Sequence, residues 1–376
     1  MKTQYLFLIF CIVAVTGYGQ VTPIKDKNWV LNPSLSDEFN GTRLDTTKWA
    51  TDPFAWYAEC YPRNVTIEDM PRSSNNGSIG VQPNRMLRLR AEYDNSETHW
   101  KGFTGGVETK GKNYLYGYYE MRAKLPGYLD TIHSIPGYPD SLGQHCSRGF
   151  WPTLYTSHQV IDPNDPDSIL EHEEIDIVEP AGNTPTDDAQ SNILGYGIRV
   201  NGEPMHCIKI IHNLPPEYED FHKYAAECLP DRVIYYFDDV PIHTLEGMPY
   251  PKTLMRVTIC NQLQSGSDYL ERKFGIENVF KGYNTPWPIY YDVDYFRYYQ
   301  LNTQYCNTDA LIINNTQLSN FVYGVRRNIT IGNGSAAISL NSGESVTFRA
   351  TNDVTINGEF TVPLGSELNI IYTPCH

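Results

Sequence analysis

The chain is short of positive charge: 29 Lys and Arg stand against 44 Asp and Glu, a formal charge of -15. A nucleic acid or an anionic surface would repel such a molecule, so neither is expected as a partner. Long apolar runs are missing as well. The longest, from Tyr5 to Val15, falls short of the about 20 apolar residues that span a bilayer. Cysteine pairs at CxxC spacing do not occur, which removes the common zinc and redox frameworks. Amphipathic repeats of helical period are also lacking, and that argues against a helical bundle.

What is present begins with an export signal. A basic start, the apolar run and the small residues Gly17 and Gly19 resemble a signal peptide, with cleavage expected after Gly19. Cys11 lies inside the run rather than at its end, which disfavours a lipoprotein anchor. Residues 1–19 are therefore set aside, and the remaining length suits one large domain plus a smaller module. Seven cysteines follow the signal, at 60, 146, 207, 228, 260, 306 and 375. In an exported chain they are read as one or more disulfides plus at least one free thiol. The one pair named from position is Cys306 with Cys375, which bracket the last module.

Strand signals dominate. Residues 114–125, 232–237 and 290–299 are rich in Tyr, Phe, Val and Ile, and Gly, Pro, Asn or Asp bound each of them. Many short strands separated by turns imply an all-β sandwich. Most of the 28 tyrosines are accounted for by that architecture alone.

Chemistry concentrates in EHEEIDIVEP at residues 171–180. Ile175 and Ile177 alternate with Glu174 and Asp176, so this is a strand with one apolar and one acidic face. Strict alternation would send Glu179 to the apolar side. A one-residue bulge at Ile177-Val178 returns it to the acidic face, and bulges are favoured beside active sites. Three like charges in a row on a strand repel one another, so the arrangement needs a purpose. The run lacks the Asn- and Gly-rich loop of common calcium sites. Acid–base work on a glycosidic bond, by contrast, requires two carboxyl groups in unlike environments.

The string EIDIVE at 174–179 resembles the ExDxxE signature of glycoside hydrolase family 16. Further segments resemble the same family in order: SDEFNG at 36–41, GGVETK at 105–110, YGYYEMRAKLP at 116–126, FWP at 150–152, DFHKYAAE at 220–227 and DVDYFRY at 292–298. The likeness covers roughly residues 25–302. It implies a concanavalin A-like β-jelly-roll sandwich with an open cleft and a retaining two-step mechanism. Glu174 is then the nucleophile, Glu179 the general acid and later base, and Asp176 the residue between them. Retention further implies that the two glutamate side chains converge to about 5 Å.

The same resemblance offers Trp151, Asn64 and Arg122 for substrate binding, with Arg122 alternatively a structural partner of a carboxylate. No cofactor is required, and a structural calcium ion has no readable site. The expected partner is a polysaccharide, met outside the cell or at its surface. A β-glucan such as laminarin ranks first and an algal galactan next. Alternatives are a transglycosylase and a non-catalytic carbohydrate-binding protein on the same fold. Several departures from the family pattern fall where subsites are expected: TLY after Trp151-Pro152, Cys228 after Glu227, SNILGY at 191–196 without a histidine, Glu173 in place of a glycine, and insertions at 127–149 and 156–172.

The catalytic domain is expected to span 20–302. From residue 303 to 376 the pattern becomes one of very short strands, at 328–331, 336–340, 345–350, 354–356 and 359–362. Glycine turns at 332, 334, 343, 358 and 365 separate them. This spacing indicates a small solenoid-like β module, serving attachment, carbohydrate binding or spacing, and expected to be independent of catalysis.

Overall fold

The computed structural model describes residues 26–53, 59–70, 85–93, 102–126, 128–130, 144–146, 150–179, 191–199, 206–213, 220–246, 251–263 and 287–375. The export signal and most of the 127–149 insertion lie outside these. Two antiparallel sheets face each other as a jelly-roll sandwich. The front sheet has seven strands, in the order His206–Asn213, Ser191–Arg199, Asp165–Val178, Phe150–Asp162, Arg256–Leu263, Gly106–Thr109 and Trp49–Ala50. The back sheet has ten, with Gly117–Lys124 at its centre between His222–Leu229 and Ile289–Leu301.

Period-two patterning explains why these segments form two layers. In Gly117–Lys124, Tyr119, Met121 and Ala123 point inward, while Tyr118, Glu120 and Arg122 fall on the other face. The core between the sheets joins these to Leu154, Ile175, Val257 and Ile259 of the front sheet, all fully buried or nearly so. Each such side chain contributes about 1.5–3 kcal/mol relative to exposure.

Residues 156–172, read from sequence as a loop insertion, are instead the outer halves of two long strands. Phe150–Asp162 and Asp165–Val178 pair as a hairpin that turns at Asn164. The ladder runs on through Thr156, Val160 and Ile161 to Asp162 paired with Asp165, so the departure lengthens the front sheet.

The C-terminal segment builds a four-stranded parallel sheet from Asp309–Ile312, Arg326–Ile331, Ser345–Ile356 and Glu367–Tyr372. Residues 345–350 and 354–356 merge into one strand. Glycine is required at Gly332, where φ is +85° and a Cβ would come within 2.2 Å of the Asn357 carbonyl. Cys306 and Cys375 are disulfide-bonded.

This module is docked on the outer face of the back sheet. Outward-facing Tyr118, Tyr236 and Tyr299 pack with Trp29, Leu301, Cys306 and Val325 in a second apolar cluster. Beside it, Arg349 of the module reaches Asp26 at 2.8 Å and Glu227 at 3.1 Å, with all three side chains no more than 4% exposed. Burial works against the Arg349 charge, but the Glu227 and Asp26 carboxylates outweigh it and hold the guanidinium protonated. The module is thus tied to the sandwich by an apolar cluster and a buried ion network, on the sheet opposite the acidic row.

Candidate active site

The acidic row stands on the outer face of the front sheet. In its strand, Ile175, Ile177 and Val178 all enter the core, at 1%, 1% and 0% exposure. Two consecutive inward residues require a break in the alternation, and the register supplies it. Leu154 pairs with Val178 but Tyr155 pairs with Asp176, so Ile177 is the extra residue of a β-bulge. Glu179, next after Val178, therefore returns to the face of Glu174 and Asp176. The bulge falls where the sequence places it.

Small residues flank the row. Glu174 lies between Ser157 and Gly197 on the neighbouring strands, and Asp176 lies between Tyr155 and Gly195. Glycines on one side leave room over the carboxylates. Tyr155 bonds to Thr258, and burial above all, with the Cys260, Glu174 and Glu108 groups adding, keeps its phenol protonated far beyond neutral pH. Glu108 in turn accepts from Arg256 at 2.7 Å. Along the strand, His172 brings Nε2 within 3.3 Å of Glu174 Oε2. Neither Tyr155 nor His172 was singled out from the sequence, although both follow from parity: Tyr155 is four residues from Trp151, and His172 two from Glu174. Among the described residues no group of three or more His, Cys, Asp or Glu is gathered to hold a metal ion.

The remaining candidates separate. Trp151 pairs with Gln262 across the front sheet, and its side chain lies outside the described residues. Asn64 is 1% exposed, and among the described residues no hydrogen bond reaches its amide. Its carbonyl backs onto Gly105, where a Cβ would approach to 2.3 Å. Arg122 does not join the acidic row: it stands on the outer face of the back sheet, bound to Asp294 at 2.7 Å and lying over the Phe221 ring. Alternation decides this, because inward positions of that strand are Tyr119, Met121 and Ala123. Arg122→Ala should therefore leave kcat/KM within about twofold while lowering the melting temperature by a few degrees. A loss of activity without a loss of stability would place Arg122 back in the cleft.

Two departures from the family pattern are structural. Glu173 points away from the acidic face, and its carboxylate accepts the Lys252 and Thr253 backbone N–H groups at 3.1 and 2.9 Å. It fastens the turn leading into Arg256–Leu263, a task glycine could not perform. Cys228 is a core residue, 2% exposed, and burial raises its thiol far above the usual range.

Residues 140–276 match the family model described as Glycosyl hydrolases family 16, and this span holds the whole carboxylate strand. Among curated proteins the chain is similar to beta-porphyranase D of Zobellia galactanivorans, 30% identical over 109 residues, 29% of this chain and 25% of that one. It is also similar to beta-porphyranase B of Phocaeicola plebeius, 24% identical over 226 residues, 58% of this chain and 68% of the other. The chain spans under a third of the first two curated relatives, 25% of porphyranase D and 31% of beta-porphyranase E of Zobellia galactanivorans. Among solved structures, a kappa-carrageenase from Zobellia galactanivorans superposes with a TM-score of 0.50 at 18% identity, over 73% of this chain and 96% of that one. At that identity the likeness is one of fold, the same sandwich.

Proposed function

We propose that this chain, whose residues 140–276 match the model of glycosyl hydrolases family 16, is an exported, retaining endo-hydrolase cutting a β-linked algal galactan of the porphyran kind. The observation that carries the chemistry is the bulge at Ile177, which sets Glu174, Asp176 and Glu179 on one face with glycines beside them. Glu174 attacks the anomeric carbon as the glycosidic C–O bond breaks, and Glu179 gives its proton to the leaving oxygen. Water then attacks the same carbon, Glu179 takes its proton, and the bond to Glu174 breaks to return the carboxylate. Asp176, only 7% exposed, separates the two charges and couples their protonation.

The substrate reading departs from laminarin. The four curated relatives at hand are all named beta-porphyranase, and this favours a galactan over a β-glucan. The lengthened hairpin and Tyr155 in the position of a family tryptophan suit a cleft of altered shape. Export is supported by the signal-like start, and no helix among the described residues is long and apolar enough to cross a membrane. The module packs on the sheet opposite the acidic row, which supports a spacer or attachment role.

The test is product analysis over porphyran, agar, carrageenan, laminarin and mixed-linkage glucan. Oligosaccharides of retained anomeric configuration are expected from porphyran, at rates at least tenfold above the glucans. Depolymerisation of laminarin alone would overturn the substrate reading while leaving the mechanism intact.

A further inference from the structure

We propose that His172 is a positioning residue that holds one oxygen of Glu174 and speeds breakdown of the covalent intermediate; this rests on the reading of Glu174 as nucleophile. His172 is only 7% exposed, and its Nε2 lies 3.3 Å from Glu174 Oε2. Its other ring nitrogen, Nδ1, is buried and has no hydrogen-bond partner among the described residues. That asymmetry selects the tautomer. A proton on Nδ1 would be buried without an acceptor, at the full desolvation cost of a donor, whereas a proton on Nε2 meets a carboxylate. Nε2–H is therefore directed at Oε2.

Ser157 and Gly197 flank Glu174 across the sheet, and neither carries a long donor. With Oε2 engaged, Oε1 is left to attack. In the ester that follows, Oε1 bears the sugar and Oε2 is the carbonyl oxygen.

The donor then acts unequally on the two steps. In glycosylation the carboxylate loses charge, so a hydrogen bond to it is weaker in the transition state than before it. In deglycosylation water adds to the anomeric carbon, the C–Oε1 bond breaks, and its electron pair returns negative charge to the carboxylate. There the Nε2–H bond strengthens as the barrier is crossed, which is the condition for catalysis. His172 donates a hydrogen bond throughout and transfers no proton.

The experiment uses the full chain and a 2,4-dinitrophenyl glycoside of the shortest oligosaccharide the wild type releases. His172→Asn, whose amide stops short of Oε2, is compared with His172→Gln, whose amide nitrogen reaches the position of Nε2. For the Asn variant we expect a burst of dinitrophenol approaching one per enzyme and a glycosyl-enzyme visible by intact mass spectrometry. Its kcat should fall about ten- to a hundredfold, the range of one hydrogen bond to a charged group. KM should fall with it, so that kcat/KM is little changed. The Gln variant should recover most of kcat and lose the burst. A drop in kcat/KM equal to that in kcat, with no accumulated intermediate in either variant, would overturn the role of His172. Peptide mapping of the trapped enzyme separates the two readings: a label on Glu174 upholds the nucleophile, and a label on any other residue overturns both.

Discussion

Glu174→Gln is expected to fold as the wild type does and to turn over its polysaccharide several orders of magnitude more slowly, a barrier increase of about 4 kcal/mol or more. The amide is nearly isosteric, and Glu174 lies on the face opposite Ile175 and Ile177, which enter the core. Stability should hence be spared. The loss falls on bond formation, since a neutral amide oxygen is a poor nucleophile toward an anomeric carbon. Shortening the side chain to Gly or Ala opens a space that azide can enter, and the rescued product should be a glycosyl azide of inverted configuration. Glu179→Ala should behave differently. With an activated aryl glycoside, whose leaving group needs little protonation, that variant should keep the first step, whereas Glu174→Ala should lose it. Near-normal turnover of the polymer by Glu174→Gln, or identical responses of the two variants to leaving-group activation, would show the division of labour to be mistaken.

The acidic site was legible because it rests on local rules. Parity along residues 174–179 demanded a bulge, and Ile177 provides it. Turn glycines of the module were legible for the same reason, as positive φ at positions such as Gly332 and Gly343 excludes most other residues. The strands Asp309–Ile312 and Glu367–Tyr372 were not recognised, being brief and mixed in polarity. The 156–172 stretch reads as an insertion against the family pattern, and its Asp, Pro and Asn residues hide the strand pairing that the sheet imposes. Apart from Cys306 with Cys375, contacts between distant segments were beyond reach. Arg349 meets Asp26 and Glu227 across 323 and 122 residues of sequence, and nothing local to any of the three announces the others. The tyrosines illustrate both sides: their abundance follows from β structure, but that Tyr118, Tyr236 and Tyr299 lie under the module rather than in a sugar cleft emerges only in three dimensions.

That distant contact sets the largest expected effect on stability. Arg349 is fully buried and uses its whole guanidinium: Nε donates to Asp26 at 2.9 Å, and Nη1 and Nη2 donate to the two oxygens of Glu227 at 3.1 and 3.2 Å. The second Asp26 oxygen is occupied by the backbone and side-chain N–H groups of Asn28, whose amide also reaches the Thr347 carbonyl. Both carboxylates thus depend on one cation. Arg349→Met would leave both buried without it, a change that costs about 3–5 kcal/mol when a buried pair is broken. A fall in melting temperature on the order of 5–10 °C is expected. Arg349→Lys should be intermediate, because an ammonium cannot match the planar fork. Replacing all three, as Asp26→Asn, Glu227→Gln and Arg349→Met, should recover part of the loss, since the uncompensated charges are gone. Cutting the chain after residue 302 acts by another route: it returns the carboxylates to water but uncovers Trp29, Tyr118, Tyr236 and Tyr299, so aggregation is the expected outcome. In each variant the folded fraction should retain wild-type kcat, because the acidic row stands on the other sheet. Melting curves and active-site titration on the same samples separate the two quantities. A variant that melts normally but has lost kcat would mean that the module is felt in the cleft, through the sandwich that divides them.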